Sequence, residues 1–192
     1  MSTNAGQTPV PLAPLGRQRP LLLLDVDGVL NPLNIHCPDT WPDFKRVNVS
    51  GFDLWLSREM GQALNRIDAN IVWCSTWCDD PAGLTKIERH LGLSPHWEGS
   101  WGRAFQWKSD MAQYALEHFA LVVWIDDDEP CESSSNLLRV TPDGGKGLQR
   151  HDIARIHATL RNDLAISCPD CGLSKITYSH SDCILDNVRE SL

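Results

Sequence analysis

The stretch LLLLDVDGVL, residues 21–30, decides the fold prediction for this chain. It opens with four consecutive leucines and continues into two aspartates and a glycine. Apolar runs without alternation are typical of strands that are buried on both faces of a parallel sheet. Comparable runs occupy residues 71–74 and 121–125, and residues 137–140 are a further candidate strand. The sequence therefore provides the strands of a parallel sheet.

Segments with a helical spacing of apolar residues accompany these runs. The spacing predicts helices over residues 52–67, 108–119 and 149–160. Because strands and helices alternate along the chain, we expect an α/β fold with a doubly wound, Rossmann-like parallel sheet.

Composition and pattern divide the chain into three segments. Residues 1–19 contain several prolines among small polar residues, and we expect a flexible leader there. Residues 20–162 hold the α/β domain, and residues 163–192 form a tail with cysteine and histidine. With 192 residues, 42% of them hydrophobic, the chain is expected to form one soluble domain with a sizeable core.

Charge and cysteine content limit the class of protein. The formal net charge is −8, which argues against a broad basic face for duplex nucleic acid but leaves room for a local patch. No apolar run approaches the roughly 18 residues of a membrane span, so we expect no membrane partner. Seven cysteines, an odd number, lack the spacing of a disulfide framework, and this favours a cytoplasmic location.

Polar side chains follow three of the predicted strands. Asp25 and Asp27 come after the first strand, Ser75 and Thr76 after the second, and the acidic residues 126–128 after the third. Because ligands bind beyond the carboxyl ends of parallel strands, we expect these side chains to meet at one edge of the sheet. Clustered carboxylates need a cation, and hard oxygen ligands suit Mg²⁺. The alternative is that acidic residues merely end strands and cap helices.

The two aspartates of the first strand have the spacing for two complementary roles. One carboxylate attacks an electrophilic phosphorus and forms an acyl phosphate, and the other gives a proton to the leaving oxygen and later takes one from water. Lys108, at the start of the second predicted helix, is the candidate that neutralises the charge of the transition state together with the metal. Ser75 is placed to hydrogen-bond a phosphoryl oxygen.

These residues, in this order, resemble the four motifs of the haloacid dehalogenase-like (HAD) hydrolase superfamily. The first motif is DVDGVL at residues 25–30, and the second is Ser75 at the end of IVWCS. The third is Lys108, and the fourth is the acidic run IDDDE. The fourth motif departs from the commoner Gly-Asp-x-x-x-Asp form.

The resemblance implies a role for each motif residue. Asp25 would be the nucleophile and Asp27 the general acid/base, and the substrate phosphate would be bound by Ser75, Thr76 and Lys108. Mg²⁺ would be held by Asp25, the main-chain carbonyl of Asp27, and Asp126, with Asp127 sharing or taking over the role of Asp126.

The resemblance to the superfamily covers about residues 20–160, and a narrower one extends to the small HAD domains of bacterial Swiss Army Knife RNA-repair proteins. It is carried by WCSTW, GLTKIERHLGL, the Trp107-Lys108 pair, VVWIDDDE and TPDGGKGLQRHDI. It implies a Mg²⁺-dependent phosphomonoester hydrolase that acts through an aspartyl-phosphate intermediate. A nucleotide or a nucleic-acid terminal phosphate is a candidate substrate, and transfer to an acceptor other than water remains open.

The chain leaves no room for an independent substrate-selecting cap. Between Asp27 and Ser75, residues 31–51 can form at most a flap beside the predicted helix. An open site admits bulky substrates, so the expected partner is a phosphorylated small molecule or nucleic-acid end, with no obligate protein partner. The alternative function is a non-catalytic module that binds nucleic acid or another partner through a HAD-like fold and a zinc tail. The two motif-one aspartates argue against it.

The C-terminal tail contains a candidate zinc site. Four ligands in the pattern C-x2-C-x8-H-x2-C suit tetrahedral, structural Zn²⁺, namely Cys168, Cys171, His180 and Cys183. The alternative is a disordered tail with free thiols.

Tryptophan is unusually frequent, with eight in the chain. Four lie beside the predicted motifs and form a shell around the site, either as packing or as a stacking surface: Trp73, Trp77, Trp107 and Trp124. Trp107 is expected to pack, whereas Trp77 remains open as a platform for a flat base.

Overall fold

The computed structural model describes residues 19–34, 41–93, 105, 107–128 and 133–163, with helix side chains described to residue 161. Almost all of the predicted leader and the tail from residue 164 onward lie outside these residues. The contacts separate a unit that ends at Ile153 from one that begins at Ala154. The predicted segment boundaries stay predictions.

The described residues form an α/β domain. Its elements, in chain order, are β1 (Leu21–Leu24), β2 (Lys45–Val49), β3 (Phe52–Leu56), α1 (Arg58–Asn65), β4 (Asn70–Trp73), a 3₁₀ turn (Thr76–Asp79), α2 (Pro81–Leu91), α3 (Lys108–His118), β5 (Val122–Ile125), β6 (Leu137–Val140) and α4 (Arg150–Asp163). None of the described helices is both long and apolar enough to cross a membrane.

Four parallel strands form the main sheet in the order β4-β1-β5-β6. Leu24 at the end of β1 lies between Trp73 of β4 and Ile125 of β5. The chain moves from β1 outward to β4 and then crosses to β5 on the other side of β1, so the winding direction changes at β1. This confirms the doubly wound sheet, and such a switch point is where ligands bind in open α/β sheets.

Burial on both faces explains why β1 is a continuous apolar run. All four of its leucines are fully buried. On one face, Leu21 and Leu23 pack in a cluster that includes Met111 and Ala115 of α3. On the other, the Trp73 indole N–H donates a 2.9 Å hydrogen bond to Glu88 of α2. The predicted strands of the main sheet are confirmed to within a few residues. The helices predicted over residues 108–119 and 149–160 are likewise confirmed, as α3 and α4.

The predicted helix over residues 52–67 is wrong in its first part. Phe52–Leu56 is β3, which pairs with β2 in an antiparallel hairpin separate from the main sheet. The two-residue turn between them, Ser50-Gly51, has positive φ at both positions, 51° and 92°, the geometry of tight hairpin turns. The helix begins only after Ser57, whose hydroxyl accepts the Met60 N–H and caps α1.

Helix α2 is absent from the sequence prediction, although its ends carry clear signals. Asp80 accepts the Gly83 N–H at the start, Pro81 occupies the first turn, and Gly92 ends the helix with φ of 68°. Between β1 and β4, the described residues form one hairpin and the short helix α1. The expectation of a minimal cap is therefore confirmed for the described part of this segment.

Candidate active site

Three strand ends bring buried polar side chains to one edge of the sheet. Asp25 follows β1 directly, Asp126 follows β5 directly, and Ser75 lies two residues beyond β4. The parallel register aligns these ends. Asp25 is 4% exposed, Ser75 is 7% exposed and Asp126 is fully buried. The prediction that strand ends converge is confirmed in geometry, while the role of each residue stays a prediction.

Lys108 joins two of these carboxylates. It is the first residue of α3, and its Nζ lies 2.5 Å from Asp25 Oδ2 and 2.8 Å from Asp126 Oδ2. Burial alone would lower the pKa of Lys108, but the charges and hydrogen bonds of Asp25 and Asp126 outweigh burial and raise it. The lysine is therefore a fixed positive charge at this edge.

Asp25 is held on both of its oxygens. Oδ1 accepts the backbone N–H of Val26 at 2.7 Å, Oδ2 accepts from Lys108, and the Ser75 hydroxyl also donates to the carboxylate. Burial raises the pKa of Asp25, and the nearby charge of Asp126 adds to this. Lys108 and Ser75 oppose the rise without cancelling it.

A cluster of carboxylates surrounds this point. Asp25, Asp126 and Asp127 each offer an oxygen, and the three oxygens lie within 4.8 Å of one another. Burial raises the pKa of Asp127, and the Asp126 charge adds to the effect. Three carboxylates against one ammonium leave negative charge in excess. A divalent cation with oxygen ligands would compensate it.

Two glycines leave the space that the Asp127 side chain occupies in the cluster. A Cβ built on Gly28 would lie 2.0 Å from Asp127 Oδ2, and one on Gly144 would lie 2.4 Å from the same atom. Gly28 also has φ of 71°, which L side chains rarely adopt. The Asp127 carboxylate thus occupies space that any larger residue at either position would fill.

The Asp27 carboxylate points to different partners. Its Oδ1 accepts a 2.8 Å hydrogen bond from the Asn31 amide, and its Oδ2 accepts one of 2.8 Å from the Trp77 indole. Each oxygen keeps a second lone pair for a substrate group. The side chain is not a member of the carboxylate cluster; the predicted ligand is its main-chain carbonyl, which stays a prediction.

Asn31 is a site residue that sequence reasoning missed. It is 7% exposed, and its Oδ1 accepts the backbone N–H of Trp55 in β3 at 2.8 Å. One amide therefore links Asp27 to the hairpin. The sequence signal that could have identified Asn31 is its position, four residues after Asp27 and directly after the apolar pair Val29-Leu30.

A cavity of about 450 Å³ opens beside Asp27. We call it the hairpin cavity, and it is lined by Asp27, Asn31, Ser50, Phe52, Asp53, Leu54, Thr76, Trp77, Asp79 and Asp80. Thr76, a predicted phosphate ligand, is exposed and lines this cavity.

The tryptophan shell divides into two kinds of side chain. Trp73 and Trp124 are fully buried and pack the core, whereas Trp77 is half-buried at the cavity. Trp107 is 64% exposed at the start of α3, so the expectation that it packs is wrong. Trp107 directly precedes α3, the helix that begins with Lys108, and its side chain makes no capping hydrogen bond to that helix.

A family model described as the HAD domain in Swiss Army Knife RNA repair proteins matches residues 21–153. The chain belongs to this family. The matched region includes β1, the hairpin, Lys108 and the whole carboxylate cluster, so the HAD domain contains every described site residue. The chain is therefore a HAD-superfamily domain of the hydrolase type. No curated protein and no solved structure gives a significant match.

The predicted zinc ligands lie outside both the described residues and the HAD match: Cys168, Cys171, His180 and Cys183. The zinc site stays a prediction.

Proposed function

We propose that the protein is a Mg²⁺-dependent phosphomonoester hydrolase that acts through an aspartyl phosphate. The observation that carries the proposal is the pairing of Asp25, ion-paired to Lys108 at the carboxylate cluster, with Asp27, which faces the hairpin cavity. Two carboxylates in different surroundings suit the nucleophile and the proton carrier of a two-step reaction.

The donor set fits a hard divalent cation. All three clustered side chains offer carboxylate oxygens, the ligands that Mg²⁺ prefers. Asp25, Asp126 and Asp127 would hold the ion, together with the Asp27 carbonyl that the family resemblance implies. When bound, Mg²⁺ offsets the negative charge of the phosphoryl group and orients it toward Asp25.

In the first step, an oxygen of Asp25 attacks the phosphorus and the bond to the leaving oxygen breaks. Asp27 gives its proton to that oxygen, so the product leaves as a neutral alcohol. Asp27 suits this role because its carboxylate lines the open cavity, while both of its oxygens are fixed by N–H donors.

In the second step, water attacks the phosphorus of the acyl phosphate. Asp27 takes the proton of the water, the bond between Asp25 and phosphorus breaks, and inorganic phosphate is released. Lys108 and Ser75, both in contact with Asp25, would donate to the phosphoryl oxygens in each step. Thr76 keeps its proposed place as a further phosphate ligand.

The decisive experiment is to trap the intermediate. The purified protein, mixed with an aryl phosphate and Mg²⁺ and quenched in acid, should gain the mass of one phosphoryl group at Asp25, and excess chelator should abolish turnover. Asp25→Asn should remove both labelling and turnover. Asp43→Asn is the matched control, because Asp43 contacts Ser57 and the start of α1 instead of the site. Turnover by Asp25→Asn, or a label elsewhere, would contradict the proposal.

The sequence-based expectations of a nucleotide or nucleic-acid end as substrate and of a cytoplasmic location remain part of this proposal. Relatives in the family are named for RNA repair, which supports including phosphorylated oligonucleotides in the substrate panel.

A further inference from the structure

Two side-chain N–H groups hold the Asp27 carboxylate, one on each oxygen. The Asn31 amide donates to Oδ1 and the Trp77 indole donates to Oδ2, each at 2.8 Å. The torsion that turns a carboxylate about its Cβ–Cγ bond has only a broad preference of its own, so a single donor leaves the group able to rotate. Donors on both oxygens fix the plane of the carboxylate.

Asn31 is itself held in one orientation. Its backbone N–H donates to the Val26 carbonyl and its carbonyl accepts the Gly28 N–H, both at 2.9 Å, so the chain closes a tight loop around Asp27. The side-chain Oδ1 of Asn31 accepts the backbone N–H of Trp55. Because a backbone N–H can only donate, the amide oxygen must lie on that side and the amide N–H must face Asp27. The almost fully buried amide cannot turn over without losing both hydrogen bonds.

Both donors contact the same strand, β3. Asn31 accepts the N–H of Trp55 near one end of β3. The Trp77 ring makes an edge contact with the ring of Phe52 at the other end, with centroids 5.9 Å apart and ring planes at 81°. The strand therefore connects the two groups that hold the carboxylate of Asp27.

The hairpin that contains β3 is also attached at its turn. The Ser50 hydroxyl donates to Asp80 Oδ2, and Asp80 Oδ1 accepts the Gly83 N–H at the start of α2. The position of the hairpin is thus defined by contacts at its turn and along β3, in the absence of any substrate.

We propose that Asn31 and Trp77 are positioning residues for the proton transfer of Asp27, and that β3 sets the position of both. The inference rests on the proposed function, in which Asp27 gives its proton to the leaving oxygen. This transfer needs the leaving oxygen within hydrogen-bond distance of a correctly directed carboxylate oxygen. A misplacement of about 1 Å can lower a rate by about 10²-fold. The alternative is that the two hydrogen bonds only stabilise the fold.

The test compares two substrates that differ in whether the leaving oxygen needs a proton. p-Nitrophenyl phosphate releases a stable phenolate, whereas p-nitrobenzyl phosphate, longer by one methylene group, releases an alcohol. The quantity to compare is kcat/KM, because it reports the first step of the reaction and not the hydrolysis of the phosphoenzyme.

Two variants each remove one donor and keep its other contact. Asn31→Asp keeps an oxygen for the Trp55 N–H, and Trp77→Phe keeps an aromatic ring beside Phe52. Each should lower kcat/KM for p-nitrobenzyl phosphate by about 10–100-fold more than for p-nitrophenyl phosphate. The charge that Asn31→Asp introduces acts on the phosphoryl group of both substrates alike, so its effect on binding cancels in this ratio.

Each variant has a matched control. Asn48→Asp makes the same change on the same hairpin, where the Asn48 amide donates to a different carboxylate, that of Asp53. Trp41→Phe removes an indole N–H that donates to the Leu148 carbonyl. Both controls should keep the wild-type ratio of the two substrates.

The Asp27→Asn background separates positioning from structural support. Groups that act through the Asp27 proton have nothing to act on there, so Asn31→Asp and Trp77→Phe should cause no further loss of kcat/KM for p-nitrobenzyl phosphate. A further loss in this background would overturn the inference and leave the proposed function intact. Equal losses for the two substrates in the presence of Asp27 would do the same.

If the wild type hydrolyses neither phosphate, the proposed function fails, and the indole N–H resonance of Trp77 decides whether Asn31 positions Asp27. The signal that disappears in Trp77→Phe, one of eight, identifies this resonance. A hydrogen bond to a carboxylate moves such a proton downfield. Asn31→Asp should therefore move the signal upfield, as Asp27→Ala does, and Asn48→Asp should leave it in place. An unmoved signal in Asn31→Asp would overturn the inference.

Discussion

Asp25 and Asp27 are two residues apart in the chain, yet their carboxylates have different surroundings. Asp25 is almost completely buried and contacts an ammonium, a hydroxyl and a backbone N–H. Asp27 accepts hydrogen bonds from the neutral N–H groups of Asn31 and Trp77, and it borders an open cavity. The strand end at β1 therefore separates a charged interior from an aromatic, solvent-accessible space.

The difference shows how one short motif can supply two kinds of chemistry. A carboxylate fixed beside a cation keeps its direction and stays close to the phosphoryl position. A carboxylate held by neutral donors at a cavity can exchange a proton with a group that arrives from solvent. Gly28, with its positive φ, turns the chain directly after the second aspartate and makes this separation possible.

The largest effect is expected when the two aspartates are changed one at a time. Asp25→Asn should lower kcat/KM by at least about 10³-fold for every substrate, because no other group replaces the nucleophile. Asp27→Asn should lower it by about 10²–10⁴-fold for alkyl phosphates, whose leaving oxygen needs a proton. For p-nitrophenyl phosphate, whose leaving oxygen needs none, the change should stay below about tenfold.

Acid-quench mass spectrometry should then find accumulated phosphoenzyme in Asp27→Asn, because water attack lacks its base. Equal losses for both substrates in this variant, without accumulation, would show that the two aspartates do not divide the work as the structure indicates.

Lys108→Met tests the charged side of the comparison. The unbranched side chain keeps much of the volume but leaves the carboxylates of Asp25 and Asp126 without their cation. In chelator we expect a loss of about 3 kcal/mol in the free energy of unfolding, and Mg²⁺ should raise the melting temperature more in the variant than in the wild type. Activity should fall by about 10²-fold. Unchanged stability in chelator would contradict the ion pairs.

Gly28→Ala should displace Asp127 while leaving Asp25 in place. The added Cβ meets Asp127 Oδ2, and we expect the Mg²⁺ concentration for half-maximal activity to rise about 10–100-fold. Gly92→Ala is the control: its φ of 68° imposes comparable backbone strain, about 1–2 kcal/mol, but the atoms nearest to its Cβ belong to Arg58 and lie at ordinary distance. A similar shift in both variants would refute a specific effect on Asp127.

The smallest effect is expected at Asp43, a carboxylate outside the surroundings of both Asp25 and Asp27. Burial tends to raise the pKa of Asp43, but hydrogen bonds from the Ser57 hydroxyl and the backbone N–H groups of Glu59 and Arg58 outweigh it, and the pKa is lowered. Asp43→Ala should lower the free energy of unfolding by about 1 kcal/mol at neutral pH, with no change in activity.

The pH dependence of this loss follows from the lowered pKa. Ionised Asp43 stabilises the folded chain above its ordinary pKa, and the contribution disappears as pH falls through the lowered value. Urea unfolding from neutral pH down to about pH 2 should therefore show the wild type and the variant converging in acid. A constant difference across this range would exclude the carboxylate as the cause.

The parallel sheet and the charged half of the site were predictable from the sequence because each follows from a local pattern. Fully apolar runs require burial on two faces, and the polar residues that follow them must then meet at the carboxyl edge. This reasoning places Asp25, Ser75 and Asp126 together without any knowledge of contacts.

The hairpin and the surroundings of Asp27 were not predictable in this way. Leu56 fits the helical spacing of Met60 and Leu64, whereas Leu54 and Leu56 alternate as in a strand. The pairing of this strand with β2 depends on a turn in which a non-glycine residue, Ser50, has positive φ. Trp77 reaches Asp27 across fifty positions of sequence. Contacts between residues so far apart in the sequence depend on the assembled sheet, and no local periodicity of the sequence indicates them.

The contact of Asp127 with Gly28 and Gly144 has a consequence for how sequences of this family should vary. The three positions share one volume, so the size of the residue at position 127 limits what the other two positions can accept. Where residue 127 is shortened to serine or glycine, position 144, whose φ is not positive, becomes free to accept alanine, whereas position 28 keeps its preference for glycine. Covariation between positions 127 and 144 would thus distinguish family members that retain the third carboxylate from those that have replaced it.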